Sequence, residues 1–343
     1  MDKIFFLIDD ISCSGGTERV TCTLGNLLAE KGYDVNILTL HLSQKKNRFQ
    51  LNEKIKIIQF NESNKLRSIY CSVKKTKENK GVLIVISMGK LSLTVALASL
   101  LQRPKKIIFA EHISLSSFGF LKRIIKKLSY FMADNVVFLT EHDKNLVDRR
   151  ENDKYLNIKN INPFYSSHCD ITPYKNRPNV AIAIGRYGYQ KNFERLIRLW
   201  KKANIKDWKL IIIGNDNSLL KKLTNDDDSI EICDATNNIE FFYNQAKLIL
   251  MTSRYEGLPM VLIEAQHFGI PAIAFDCKTG PKEIIQHGYS GFVINYNDDD
   301  KFIETLKKAT SNEKLLSDMS LNSQYNALNY SPEKIINKWT PLF

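Results

Sequence analysis

Apolar residues in this chain come as short β-branched runs separated by amphipathic stretches. In the first half the runs are "KIFFLI", "DVNILTL", "KIKIIQF", "VLIVIS", "KIIFA" and "NVVFLT". In the second half "NVAIAIG", "WKLIIIG", "SIEIC", "KLILMTS", "PAIAFD" and "GFVIN" repeat the rhythm. Segments such as Thr17–Lys31 and Lys90–Leu101 supply helices between them. Alternation of this kind predicts parallel α/β sheets, here two doubly wound domains facing one another across a cleft. Between the halves, Asn162–Asn179 is polar and holds three of the nine prolines, the composition of a linker. The expected division is residues 1–165, a linker at 166–178, a second domain at 179–325 and a C-terminal helix at 326–343. That helix opens with Ser-Pro-Glu and has an apolar face, so it is expected to pack, with the first domain as its candidate support.

A length of 343 residues suits two cores better than one, and 43% hydrophobic with 25% charged residues is the balance of a globular protein. No apolar run reaches the roughly 18–20 residues that span a bilayer. The run at the N-terminus is cut off by Asp9 and Asp10, which marks a first strand and not a signal peptide. Cys13, Cys22, Cys71, Cys169, Cys233 and Cys277 are scattered without a C-x-x-C pair, as expected of free thiols in a reducing cytosol. Charge changes the picture more. Residues 1–165 hold 27 Lys+Arg against 16 Asp+Glu, whereas residues 166–343 hold 22 against 21. A one-sided positive field attracts a polyanion, whether a membrane surface, nucleic acid or an anionic substrate. Within that half, the helix expected over Phe118–Ala133 places Phe118, Leu121, Ile124, Ile125 and Leu128 on one side, with Lys122, Arg123, Lys126 and Lys127 largely on the other. It suits an anionic membrane surface, or equally a core-facing helix with a solvated basic face.

In open parallel sheets ligands sit beyond the carboxyl ends of the strands, so the chemistry is sought in the loops there. The first loop, "DDISCSGGTERV", offers Gly15, Gly16 and a helix N-terminus to an anion, although a Gly-Gly pair also makes a plain tight connection. The second, "AIGRYGYQKNFERLIRLW", brings Arg186 and Lys191 onto one strand-end loop, where two cations could neutralise a diphosphate or simply face solvent. The third, "EGLPMVLIE", puts Glu256 in the loop before a helix, Pro259 at its first position and Glu264 inside it. The two acids are therefore not neighbours on a helical face and could grip different parts of one elongated ligand. The amides of Gly257 and Leu258 could meet phosphate or hydroxyl oxygens. An acid between Ile263 and Ala265 needs a partner, whereas Glu256 could be an ordinary loop acid. Gly280 and Lys282 in "DCKTGPKEI" are secondary candidates, and "IIFAEHIS" places Glu111 and His112 at a strand end aimed into the cleft. The acidic runs Asn225–Ser229 and Asn297–Lys301 suggest a metal, but the first reads as a loop and the second as a helix cap, so no metal site is assigned.

The order and spacing of "SGGTERV", "AEH", "GRYGYQKN" and the E-x7-E stretch "EGLPMVLIE" resemble glycosyltransferase family 4, retaining nucleotide-sugar-dependent enzymes of GT-B fold. The likeness is strongest from Val180 to Ile294 and looks most like bacterial enzymes assembling surface polysaccharides or lipid-linked oligosaccharides. It implies Gly16 near the donor diphosphate, Arg186 and Lys191 clamping that diphosphate, Glu264 on the ribose, Glu256 with Gly257 and Leu258 on the donor sugar, and His112 touching that sugar from the opposite domain. It also implies the base near Gly214 and Cys233–Asn237, no metal or other cofactor beyond the UDP-sugar co-substrate, and no protein nucleophile. Tyr187 departs from the family's usual aliphatic residue, and the lysine-rich region around Ser43–Lys80 matches nothing usable. The expected function is transfer of a hexose or N-acetylhexosamine from a UDP-sugar to a lipid-linked oligosaccharide or lipopolysaccharide, in O-antigen or capsule synthesis. The expected setting is the cytoplasmic face of the cell membrane, bound peripherally, with no nucleic-acid partner. Rivals are a GT-B sugar-nucleotide epimerase and a non-catalytic nucleotide-binding protein.

Overall fold

The computed structural model describes residues 2–343 apart from 14, 45–48, 61, 63, 149–152, 167–169, 216–217 and 225–226. Cys169, part of the lysine-rich region and the start of the first acidic run lie outside the described residues. The chain divides into two units, Met1–Pro163 with Tyr330–Phe343, and Phe164–Asn329.

The first unit contains β1 (Lys3–Asp10), α1 (Gly16–Glu30), β2 (Asp34–His41), β3 (Lys56–Gln59), α2 (Lys65–Glu78), β4 (Val82–Ser87), α3 (Lys90–Ala98), β5 (Lys106–Glu111), α4 (Phe120–Ser129), β6 (Asn135–Phe138), α5 (Glu141–Val147) and β7 (Tyr155–Asn157). Its strands form one parallel sheet in the order β3-β2-β1-β4-β5-β6-β7. The continuous apolar runs follow from burial on both faces. Along β1 the pleat sends Ile4, Phe6 and Ile8 into one core with Leu24 and Leu28 of α1. Phe5 and Leu7 go to the other core, with Ile69 and Val73 of α2 and Val95 of α3.

The second unit runs through β8 (Val180–Ile184), α6 (Phe193–Ala203), β9 (Lys209–Gly214), α7 (Ser218–Thr224), β10 (Ile230–Asp234), α8 (Ile239–Gln245), β11 (Leu248–Met251), α9 (Met260–His267), β12 (Ala272–Asp276), α10 (Pro281–Ile284), β13 (Gly291–Asn295), α11 (Asp299–Thr310) and α12 (Glu313–Ala327). The sheet is again parallel, in the order β10-β9-β8-β11-β12-β13. Strand order therefore reverses between β1 and β4 in one unit and between β8 and β11 in the other. Such switch points open a crevice at the carboxyl ends of the strands. The final helix, α13 (Pro332–Trp339), returns to the first unit and packs on α1. Ser331 caps it by accepting the Lys334 N–H, and Ile335, Ile336 and Trp339 enter the core with Ile4.

Three local outcomes differ from the sequence reading. Strand β7, three residues at a sheet edge, carries too short an apolar pattern to be read. Helix α9 begins at Met260 with Pro259 extended at its N-cap, one residue later than expected. At its other end Gly269 takes φ +66, and the Gly269 and Ile270 N–H groups bond Gln266 and Ala265, the glycine stop expected there. The third concerns α4, whose faces are reversed relative to a core-facing helix. Lys126 is buried, while Phe120, Leu121, Ile124, Ile125 and Leu128 are exposed. Burying that ammonium is tolerable because Glu111 pairs with it at 2.8 Å and the Gly89 carbonyl accepts from it at 2.6 Å.

Candidate functional site

The second unit brings Lys191 and Glu256 together at its switch point. Past β8 the chain turns through Gly185, whose φ is +156 and across whose α-carbon the Lys191 stem runs. A Cβ on Gly185 would stand 2.6 Å from Lys191 Cε. Gly214 at the end of β9 is required for the same loop, since a Cβ there would stand 1.8 Å from the Gly185 carbonyl oxygen. Asn192 then adopts a left-handed φ of 55 and starts α6. Just past β11, Thr252 donates its hydroxyl to the Asn192 carbonyl at 3.1 Å, and the Arg254 N–H donates to the Gln190 carbonyl at 2.8 Å. The β8–α6 and β11–α9 loops are thus fastened to each other before any side chain of the candidate site is placed.

On that frame Lys191 donates to Glu256 Oε1 at 2.8 Å, and Gln190 Nε2 donates to the Tyr255 carbonyl at 3.1 Å and to Glu256 Oε2 at 3.4 Å. Glu256 is buried and the Lys191 side chain is 17% exposed, so the ammonium stands at the solvent boundary of the pair. An ammonium has three donors, and one is used here by the carboxylate. Arg186, exposed on the same loop, has no ion-pair partner among the described residues. Thr279 donates to the Glu256 carbonyl, and Gly280 at φ +98 leaves room for Pro259 and the Gly257 carbonyl. A Cβ on Gly280 would meet Pro259 Cδ at 2.6 Å, so Gly280 shapes the Glu256–Pro259 loop. Lys282 is engaged by Asp276.

Glu264 lies inside α9, buried, and finds the partner its position demands in Tyr243 of α8, whose hydroxyl donates to Glu264 Oε2 at 2.7 Å. Tyr243 in turn stacks on Phe268 at 5.1 Å. The two acids of the E-x7-E stretch therefore serve different neighbours, Glu256 with Lys191 and Glu264 with Tyr243. Gln190, Thr252, Thr279 and Tyr243 were not found by sequence reasoning. Gln190 could have been suspected from its place beside Lys191, but Tyr243 gives no local signal. Cys233, in the segment considered for the base, bonds Glu231, and burial first, then that carboxylate, push its thiol up to about 11.

In the first unit Gly16 is the exposed first residue of α1, after Gly15 in ordinary extended backbone. His112 follows β5, and its N–H donates to the Ser87 carbonyl at 2.9 Å. Its surroundings include Ile86, Ala110 and Val137, and burial holds its imidazole down at about 4, neutral at physiological pH. Glu111 does not accompany it. As the adjacent strand residue it points the opposite way, into the buried cluster of Lys126, Ser92 and Ser87. Among the described residues no three His, Cys, Asp or Glu are grouped as ligands of a metal ion.

Two doubly wound parallel-sheet units in one chain make the GT-B architecture of glycosyltransferases. A point mutant of S. aureus TarM, solved in complex with fondaparinux, alpha-GlcNAc-glycerol and UDP, superposes with a TM-score of 0.82 at 14% identity, over 100% of this chain and 99% of that one. The chain belongs to the glycosyl transferases group 1 family, whose model matches residues 170–325, and is a glycosyltransferase. The amylovoran biosynthesis glycosyltransferase AmsD of Erwinia amylovora is 38% identical over 100% of this chain and 99% of its own. A Campylobacter jejuni relative, the GalNAc-alpha-(1->4)-GalNAc-alpha-(1->3)-diNAcBac-PP-undecaprenol alpha-1,4-N-acetyl-D-galactosaminyltransferase, is 24% identical over 100% of this chain and 98% of its own.

Proposed function

We propose that this glycosyltransferase moves a hexose or N-acetylhexosamine from a UDP-sugar, with retention, to a lipid-linked oligosaccharide or lipopolysaccharide acceptor during bacterial surface-polysaccharide synthesis. The observation that carries the reading is the Gln190–Lys191–Glu256 cluster at the β8/β11 switch point, beside exposed Arg186. A nucleoside diphosphate leaving from a sugar develops negative charge on its terminal phosphate. A preorganised ammonium and a guanidinium stabilise that charge without reorganising solvent. Lys191 has donors to spare for phosphate while Glu256 fixes its direction. Glu256 with the Gly257 and Leu258 backbone would take the donor sugar, and Glu264, oriented by Tyr243, the ribose. Family resemblance gives Gly16 a place near the diphosphate and neutral His112 one near the sugar. With two cations at the phosphate, the reaction is proposed to run without a metal, and no protein nucleophile is assigned.

Support for the donor is the UDP in TarM, and support for the acceptor is the PP-undecaprenol-linked glycan in the name of the Campylobacter relative. No helix among the described residues is long and apolar enough to cross a membrane. A peripheral place on the inner face of the cell membrane belongs to the same proposal, on the strength of the lipid-linked acceptor. The test is UDP release from a panel of UDP-sugars in the presence of a membrane extract, wild type against Lys191→Ala. The wild type should release UDP with one donor, and undiminished release by the variant would overturn the phosphate-clamp role.

A further inference from the structure

Helix α4 is amphipathic, and the fold turns it outward. Its buried side consists of Lys126, Ser129 and the following Tyr130 and Ala133. Phe120, Leu121, Ile124, Ile125 and Leu128 lie on the side opposite Lys126, and all are exposed, Phe120 at 79% and Leu121 at 69%. Phe131, one turn on, is 73% exposed. Helix α3 packs against α4, and in its last turn and just past it Leu97, Leu100 and Leu101 are exposed at 61%, 67% and 75%. A monomeric surface does not ordinarily gather so many large apolar side chains on neighbouring elements. The reversal is also held in place. Lys126 is fixed from within by Glu111, the Gly89 carbonyl and the hydroxyls of Ser87 and Ser92, so α4 cannot roll its apolar side inward without stranding a buried charge.

Charge decides what covers this face. Residues 88–133 contain eight Lys and Arg and a single acid, Glu111, which is buried against Lys126. The segment thus exposes no carboxylate, while Lys90 and Lys122 are exposed beside the apolar residues. Two copies of the chain meeting here would set like charges against each other. An anionic lipid bilayer accepts the apolar side chains into its acyl boundary and the lysines at its headgroups. We propose that α4 and the end of α3 dock this glycosyltransferase on an anionic bilayer, apolar side chains first. The proposal rests on the membrane-peripheral part of the function given above and names the surface and its orientation.

The experiment uses the full chain and vesicles of phosphatidylglycerol and phosphatidylethanolamine, with phosphatidylcholine vesicles as the neutral control. Wild type should sediment with the anionic vesicles, and Leu121→Glu with Leu128→Glu should weaken that partitioning by about tenfold or more. Both positions are exposed, so the thermal melt and UDP binding by calorimetry should not change. Lys122→Glu should weaken partitioning by about fivefold at low salt. Tryptophan emission of Phe120→Trp, set against wild type, should shift to the blue on anionic vesicles. Unchanged sedimentation of the double variant would overturn the proposal, as would an unshifted Phe120→Trp signal. So would a wild-type dimer that the double variant dissociates, which would assign the face to a second copy. UDP binding separates the two readings: its absence in wild type would count against the donor assignment whatever the vesicles show.

Discussion

The two units each hold a buried lysine–glutamate pair at a strand end, with the same 2.8 Å separation and different surroundings. Lys126 and Glu111 are 4% and 1% exposed, and Lys126 finds further partners in a carbonyl and two hydroxyls. Burial pulls both toward their neutral forms, raising Glu111 and lowering Lys126, while each charge opposes the shift of the other. Lys191 and Glu256 are 17% and 8% exposed, supported by an amide side chain and set at the edge of the switch-point crevice. A lysine enclosed on all sides by protein acceptors can only hold structure together. A lysine with donors left at the solvent boundary can also receive a phosphate. Residue type and separation do not distinguish a clamp from a site, whereas the partners around the ammonium do.

The comparison can be broken by removing one cation from each pair. Lys126→Ala should cost about 3–5 kcal/mol in chemical denaturation, because Glu111 is left charged and buried. The loss should shrink at acid pH as Glu111, already raised by burial, takes up a proton. Pairing Lys126→Met with Glu111→Gln should recover much of it. Lys191→Ala should cost less, about 1–3 kcal/mol, because Gln190 stays on the buried Glu256 and the pair stands nearer solvent, and should lower UDP release by about 10²-fold. If its stability fell as far as that of Lys126→Ala, the functional reading of the second pair would fail.

His112 sharpens the picture of the first unit. Its imidazole is held at about 4 by burial, below the unfolded value near 6.5, so between those limits the unfolded chain binds the extra proton. Stability should therefore fall as pH drops from about 6.5 to 4, by up to about 3 kcal/mol, and His112→Gln should flatten that part of the profile. The smallest effect is expected from Tyr243→Phe. Losing the hydroxyl on Glu264 should cost about 1 kcal/mol in a urea titration and weaken UDP binding by a few-fold.

Much of the fold was legible because a central parallel strand buried on both faces writes itself as a near-continuous apolar run; all twelve β-branched runs became strands, the more exposed edge strands β3 and β10 included. Strand β7 was missed because three edge residues carry no period. Lys191 and Glu256 were legible one by one, from glycine-bearing loops at strand ends. Their pairing was not, since it depends on two loops 65 residues apart fastened by Thr252 and Arg254. Helix α4 marks the boundary most clearly. Its periodicity separated an apolar from a basic face, except that Phe118, expected on the apolar face, lies before the helix and packs half-buried on the core; that separation is all that periodicity contains.

The sequence by itself therefore determined the parallel α/β character, the strand-end loops and the residue types that can meet a diphosphate, because these depend on local periodicity and turn chemistry. Tertiary structure alone decided that Lys191 turns to Glu256, that Glu264 turns to Tyr243, and that α4 buries Lys126 and leaves its leucines outside. Each outcome depends on which groups from distant segments arrive to neutralise a buried charge, and no local stretch of sequence contains that information.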